Sequence, residues 1–268
     1  MAVPDYYYRM HDNGSFQDGS GCGNEMASEK EMYRKYMIDS LTYWAEEFGV
    51  DGFRFDLMGL HDVATMNAIR SAMDDIDTRI LIYGEGWDMG IGLPADQKAK
   101  KDNAALMPRI GFFNDNARDA VKGSEVYGHI SYGYVFGALL EDKIAKSLLG
   151  SRGFVNYIEA HDNYNLNDLM HHLHPHDSPE DIKKRLYLSN ALNLTMQRMC
   201  FMQLGQEFQR SKMVATGEDG NYTEEDVKRA MNSYNSPDEV NRVDWNQVTL
   251  KKELIDKIAK LIERKRTV

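Results

Sequence analysis

The stretch VDGFRFD, residues 50–56, decides the fold of this chain. Its alternating small, aromatic and charged residues are typical of a short strand that is buried on one face. Similar short, apolar, β-rich stretches recur further along the chain, at 79–85, 109–115, 154–160 and 199–205. Helical or mixed sequence separates them, so the pattern predicts βαβ units around a parallel sheet, which is an α/β fold.

Helix signals lie before, between and after these predicted strands. Ser28 and Glu31 have the spacing of a capping box, and Gly49 suits a left-handed helix end. One apolar face is predicted for this first helix, formed by Tyr33, Met37, Leu41, Trp44 and Phe48. Ser178 and Pro179 begin another predicted helix. The apolar face of the last helix is predicted to consist of Leu250, Leu254, Ile258 and Leu261.

Composition excludes several classes of function. The 268 residues include 32 Lys and Arg against 42 Asp and Glu, so the net charge is −10. An acidic chain does not suit a protein that binds nucleic acid or an anionic membrane. No apolar run approaches the roughly 18 residues needed to span a bilayer. Cys22 and Cys200 allow at most one disulfide and no cysteine-rich metal site.

Three carboxylates come at predicted strand ends. Alternation places Arg54 and Asp56 on the same face of the first strand, with Asp56 at its carboxyl end. Glu85 ends the second strand, and Asp162 ends the strand predicted at 154–160. Because parallel strands end at a common edge of the sheet, we expect the three carboxylates to meet there.

Converging carboxylates suit either a divalent metal site or glycoside hydrolysis. The neighbouring residues favour sugar chemistry, because Arg54 would keep Asp56 ionised and Trp87 offers a flat face to a sugar ring. The sequence requires no cofactor or metal; calcium stays an open alternative that no motif indicates.

Several motifs carry a family resemblance. DGFRFDLMG (51–59), YGEGWD (83–88) and NYIEAHDN (156–163) resemble the second, third and fourth signature regions of the α-amylase superfamily of glycoside hydrolases. The variant is closest to type I pullulanases. The same resemblance extends to GSGCGNEMASE (19–29), GFFNDNARDAVKG (111–123), LGQEFQRSK (204–212) and NSYNSPDEVNRVDW (232–245).

The resemblance implies roles for particular residues. Asp56 resembles the catalytic nucleophile, Glu85 the general acid/base and Asp162 the acid that stabilises the transition state. The candidate substrate-binding residues are Arg54, Trp87, His161 and Asn163. No residue is expected to bind a metal.

The resemblance also implies a (β/α)8 barrel of the TIM type, truncated here to about barrel strands four to eight. Residues 1–268 would then be a partial catalytic barrel, without its N-terminal third and without the family's C-terminal β-sandwich. The first signature region has no counterpart, and Asn167 replaces a tryptophan common in the family.

The implied function is that of a retaining enzyme that cleaves α-1,6-glucosidic branch linkages in pullulan, starch or glycogen. An α-1,4-acting amylase-type hydrolase and a non-catalytic glucan-binding fragment are the alternatives. The expected partner is an α-glucan, with no nucleic acid and no membrane, and open sheet edges favour self-association. The N-terminus has no signal peptide, and the resemblance leaves a cytoplasmic or a secreted bacterial location open.

Overall fold

The computed structural model describes residues 6–125, 129–149, 153–197, 199–217 and 220–267. The chain forms two compact units. Unit 1 consists of Met1–Phe113 with Gly153–Val155, and unit 2 of Asn114–Arg152 with Asn156–Val268. None of the described helices is long and apolar enough to cross a membrane. Cys22 and Cys200 are both free thiols.

Unit 1 contains a parallel sheet, which confirms the predicted α/β class. Its strands are β1 (Gly52–Phe55), β2 (Leu81–Gly84), β3 (Gly111–Phe113) and β4 (Phe154–Val155), in that spatial order. Every adjacent pair is parallel. A parallel pair requires a crossover connection, and helix α2 (Val63–Ile76) supplies the one between β1 and β2.

The prediction of five strands is wrong for the part of the chain that the structure describes. Residues 154–160 contribute only the two-residue β4, and the stretch 199–205 forms a single parallel bridge between Cys200 and Asn156. After this bridge the backbone turns. Gly205 adopts a φ of +98°, and the Gln206 N–H donates to the Gln203 carbonyl at 3.1 Å. The Gln203 carbonyl is thus bonded within the turn rather than to a neighbouring strand.

The core of unit 1 lies between the sheet and its helices. Phe53 and Phe55 pack against this core, which matches the face that alternation assigns to them. The largest fully buried side chains of the core are Met58, Met66, Ile69, Met73, Met107, Ile110 and Phe112. The aromatic face of β1 is thus directed away from the face that carries Arg54.

Helix α1 (Glu31–Phe48) differs from its prediction at the N-terminal end only. The capping box is wrong: Lys30 is the N-cap, and the Ser28 hydroxyl instead donates to Asp62 Oδ2 at 2.7 Å. Asp62 needs this partner because its carboxylate caps α2 and is buried. Gly49 ends the helix in the left-handed conformation, with φ +63°, as predicted.

The apolar face predicted for α1 is buried only in part. Met37 is buried, and Tyr33 and Leu41 pack against the core. Trp44 and Phe48, at the C-terminal end of the same face, are 47% and 58% exposed. Helical spacing identifies the face but does not show how much of it a neighbouring element covers.

Unit 2 is helical. Its helices are α3 (Asp115–Lys122), α4 (Glu141–Leu149), α5 (Leu166–Leu173), α6 (Pro179–Thr195), α7 (Glu224–Met231), α8 (Asp238–Asn241), α9 (Asn246–Leu250) and α10 (Lys252–Thr267). Ser178 caps α6 by accepting the Asp181 N–H at 3.2 Å, as predicted. Leu254 and Ile258 of α10 are buried, whereas Leu250 ends α9 and is 73% exposed. The predicted face of the last helix therefore begins at Leu254.

Candidate active site

Asp56 and Glu85 lie at the same edge of the sheet. Each residue directly follows its strand, β1 or β2. Phe55 is in register with Gly84, so the next residues along the two strands are the two acids. Parallel pairing thus brings the two carboxylates to neighbouring positions at the carboxyl edge.

One guanidinium group contacts both acids. Arg54 Nη1 bonds to Asp56 Oδ1, and Arg54 Nη2 lies 2.8 Å from Glu85 Oε1. The planar fork of arginine suits two carboxylates on its two terminal nitrogens. The two acids differ in exposure, since the Asp56 side chain is 74% exposed and that of Glu85 only 11%. One carboxylate is open to a ligand, and the other is enclosed by protein.

Backbone groups fix Glu85 in its enclosed position. Leu57 adopts a left-handed conformation with φ +42°, and its N–H donates to Glu85 Oε2 at 2.9 Å. The Glu85 carbonyl accepts the Gly59 N–H at 3.0 Å. A non-glycine residue with positive φ carries local strain, and here it aims a donor at a candidate catalytic group.

Two glycines let the chain pack this closely. A side chain on Gly59 would place its Cβ 1.9 Å from the Trp87 carbonyl oxygen, and one on Gly86 would place its Cβ 2.4 Å from Phe112 Cδ1. Neither position therefore tolerates a larger residue without a shift of its neighbours. Gly59 at the end of DGFRFDLMG and Gly86 in YGEGWD are the sequence signals for this close approach.

Trp87 is half-buried, and Lys101 Nζ lies 5.8 Å from the centre of its ring. Its carbonyl packs against Gly59, so the residue has a structural contact as well as a partly exposed ring. The role of Trp87 as a platform for a sugar ring stays a prediction.

The N-terminal loop is ordered by a buried arginine that the sequence analysis missed. Arg9 Nη1 lies 2.9 Å from Glu25 Oε1, and Arg9 Nη2 lies 2.9 Å from both Glu29 Oε2 and the Leu60 carbonyl. Leu60 belongs to the short 3-10 turn that follows Asp56, Met58–Leu60. Arg9 therefore attaches the N-terminal loop to the short segment that follows Asp56 in the chain.

His61, the residue after Leu60, is buried. Burial lowers the pKa of its imidazole to about 4, so the ring is neutral at neutral pH.

Asp162 and its neighbours lie in unit 2. Asp162 does not end a strand, because β4 stops at Val155; it lies in a loop and pairs with Asn232 in an isolated antiparallel bridge. The side chains of His161 and Asp162 are 65% and 60% exposed, with His161 Nε2 3.6 Å from Asp162 Oδ1. The meeting of Asp162 with Asp56 and Glu85 in one pocket stays a prediction.

A group of buried titratable residues supports this loop, and the sequence analysis missed two of them, Asp168 and Lys212. Glu159 and Asp168 are buried acids, and burial raises the pKa of both, to about 8 for Glu159. Lys212 is a buried base, and burial lowers its pKa to about 8. Lys212 ends the motif LGQEFQRSK, but nothing in its spacing indicated a buried side chain.

No group of three or more His, Cys, Asp or Glu side chains in the described residues is arranged to hold a metal ion. The acids at the sheet edge face an arginine instead.

Fold and site together define an α/β protein with a pair of acids, joined by one arginine, at the carboxyl edge of a parallel sheet. No family model matches the chain. It is 36% identical to pullulanase from Bacillus subtilis (strain 168) over 97% of its own length and 36% of that protein.

Solved structures agree with this relationship. The structure of a pullulanase from Anoxybacillus sp. LM18-11 complexed with maltotetraose has a TM-score of 0.88 and 44% identity, over 98% of this chain and 37% of that one. A pullulanase from Paenibacillus barengoltzii, complexed with maltohexaose and α-cyclodextrin, has a TM-score of 0.87 and 38% identity, over 98% and 41%. The chain thus belongs to the pullulanase family, and it spans between 36% and 41% of the length of these relatives.

Proposed function

We propose that this chain carries the catalytic acids of a retaining glycoside hydrolase that cleaves α-1,6-glucosidic linkages in pullulan, starch or glycogen. Asp56 is the nucleophile and Glu85 the general acid/base. The observation that carries the proposal is the shared Arg54 contact, which keeps both carboxyl groups within the span of one guanidinium. Retaining enzymes need their two acids about 5–5.5 Å apart.

The first step forms a glycosyl-enzyme. The exposed Asp56 carboxylate attacks the anomeric carbon, and the bond from that carbon to the glycosidic oxygen breaks. Glu85 gives its proton to the departing oxygen, which leaves as a sugar hydroxyl. Arg54 bonds to Asp56 Oδ1 and orients this carboxylate for the attack.

The second step hydrolyses this intermediate. Glu85, now a carboxylate, takes a proton from a water molecule whose oxygen attacks the anomeric carbon, and the ester bond to Asp56 breaks. Both acids then return to their starting state. The Leu57 N–H and Arg54 bonds suit Glu85 in this carboxylate form.

The remaining candidates bind the sugar. Asp162 stabilises the distorted ring through its hydroxyls, His161 donates to a sugar hydroxyl, and Asn163 and Trp87 supply further contacts. The exposure of His161 and Asp162 supports this assignment. The preference for α-1,6 linkages is supported by the similarity to pullulanases, some of which bind maltooligosaccharides in their solved structures.

Turnover of pullulan tests the proposal. Asp56→Asn should reduce release of reducing sugar by at least roughly 10³-fold, because the amide cannot form the ester. Glu85→Gln should reduce it by roughly 10²–10⁴-fold, because general acid/base catalysis is lost. Asp39→Asn, which changes an exposed carboxylate of α1, is the matched control and should retain the parent activity.

Other results separate the alternatives. Faster turnover of amylose than of pullulan would identify an α-1,4-acting hydrolase. Binding of maltotetraose without turnover would identify a glucan-binding fragment. Activity that survives in both acid variants would overturn the assigned roles.

A further inference from the structure

We propose that Lys212 is a positioning residue whose buried ammonium fixes the backbone on both sides of Asp162 and thereby the direction in which that carboxylate is presented. The inference rests on the proposed function, in which Asp162 stabilises the reacting sugar.

The contacts of the ammonium carry this inference. Lys212 Nζ donates to the Asn163 carbonyl at 2.6 Å and to the His161 carbonyl at 3.2 Å. These carbonyls belong to the residues directly before and after Asp162. The side chain between them is 60% exposed, whereas Lys212 itself is only 1% exposed. The buried ammonium thus bonds to the backbone carbonyls of both neighbours of Asp162, while the Asp162 carboxylate itself remains mostly exposed.

The loop conformation depends on this double contact. Asn163 adopts a left-handed conformation with φ +61°, which an asparagine tolerates better than most residues. Asp162 pairs with Asn232 as well, so its backbone is attached to a second segment. A strained loop persists only where its surroundings hold it in place.

The lysine is in turn held by buried acids. Its backbone N–H donates to Asp168 Oδ2 at 2.8 Å, and the charge of Asp168 favours the ammonium. A buried cation without such partners would be expelled or neutralised. The structure therefore keeps a charged donor beneath Asp162 despite the cost of its desolvation.

A double-mutant cycle tests the proposal. The variants are Lys212→Met, Asp162→Asn and both together, and the readout is the affinity for maltotetraose by isothermal titration calorimetry. We expect each single variant to bind about tenfold more weakly, and the double variant to bind no more weakly than Asp162→Asn alone. If Lys212 acted independently of Asp162, the double variant would show the product of the two single losses in affinity. That result would overturn the proposal.

Amide hydrogen exchange gives a second readout that does not need a ligand. Lys212→Met should speed exchange in residues 161–164 selectively, while Lys252→Met, a change at an exposed lysine of α10, should not. Unchanged exchange in this segment would contradict the inference. If the parent chain does not bind maltotetraose, the proposed function fails, and the exchange data still decide whether Lys212 holds the loop.

Lys212→Gln covers the case in which Lys212→Met does not fold. Its shorter amide can reach at most one of the two carbonyls, so its effects should have the same pattern and be smaller. Parent-like exchange and affinity in Lys212→Gln would also count against the proposal.

Discussion

At the scale of single residues, environment separates groups that are chemically alike. Asp56 and Glu85 share Arg54, yet the Asp56 side chain is mostly exposed and the Glu85 side chain is enclosed with a backbone donor on its second oxygen. An exposed carboxylate can approach a substrate as a nucleophile, and an enclosed one is shielded from bulk water. Burial also distinguishes Glu159, whose pKa it raises to about 8.

The shifted pKa of Glu159 predicts how stability depends on pH. Between its ordinary pKa of 4.5 and about 8, the folded chain retains a proton that the unfolded chain has lost. The free energy of unfolding should therefore fall as the pH rises through this range, by up to about 1.4 kcal/mol per pH unit from this group. Glu159→Gln should match the parent chain near pH 4 and become progressively more stable than it towards pH 8.

Urea unfolding followed by circular dichroism at several pH values measures this difference. Glu47→Gln, at an exposed position of α1, is the control and should show no such trend. A difference between Glu159→Gln and the parent that does not vary with pH would contradict the assignment.

Residues of the site could be predicted from sequence only where local geometry dictates their placement. The period of two along a strand places Arg54 beside Asp56, and the parallel register places Glu85 next to them. Arg9 and Lys212 could not be predicted in this way. Their burial depends on segments distant in sequence, such as Leu60 for Arg9 and Asp168 for Lys212.

At the scale of elements, glycines decide how closely segments approach. Gly59 lies against the backbone of Trp87, and Gly86 lies against the ring of Phe112. Element type was predictable for the first strands and for α6, because hydrophobic periodicity and capping are local signals. The lengths of β4 and of the stretch 199–205 were not, because a turn and long-range bonds end their pairing.

The contact at Gly59 predicts a loss of stability on substitution. Gly59→Ala should lower the free energy of unfolding by about 1–3 kcal/mol, because its Cβ would lie 1.9 Å from a backbone oxygen that cannot move freely. Gly90→Ala is the control, since nothing lies within 4 Å of its Cβ, and it should differ from the parent by less than about 0.5 kcal/mol. Equal unfolding midpoints in urea for the two variants would refute this reading.

At the scale of the whole molecule, unit 1 leaves apolar surface uncovered. Tyr43, Trp44 and Phe48 form an exposed aromatic cluster on α1, with the rings of Trp44 and Phe48 4.6 Å apart. Within the described residues, β1 is an edge strand that pairs only with β2. Exposed aromatic clusters and open strand edges both favour association. The sequence does not predict that these side chains are exposed, because their exposure depends on which elements cover α1.

We therefore expect the chain to associate with further copies of itself. Its weight-average mass in sedimentation velocity should rise with concentration, and the double variant Trp44→Lys and Phe48→Lys should reduce that rise. Tyr234→Lys changes an isolated tyrosine that is 92% exposed and should leave association unchanged. A parent chain that stays monomeric at every concentration would contradict the expectation.

The double contact of Arg54 has a consequence for which sequences can encode this site. Lysine carries its charge on a single nitrogen and lacks the planar fork, so it cannot serve both acids in the same geometry. A library with every amino acid at position 54, screened for clearing of pullulan, should return arginine alone. Recovery of active clones with lysine at that position would mean that activity does not require contacts from residue 54 to both carboxylates.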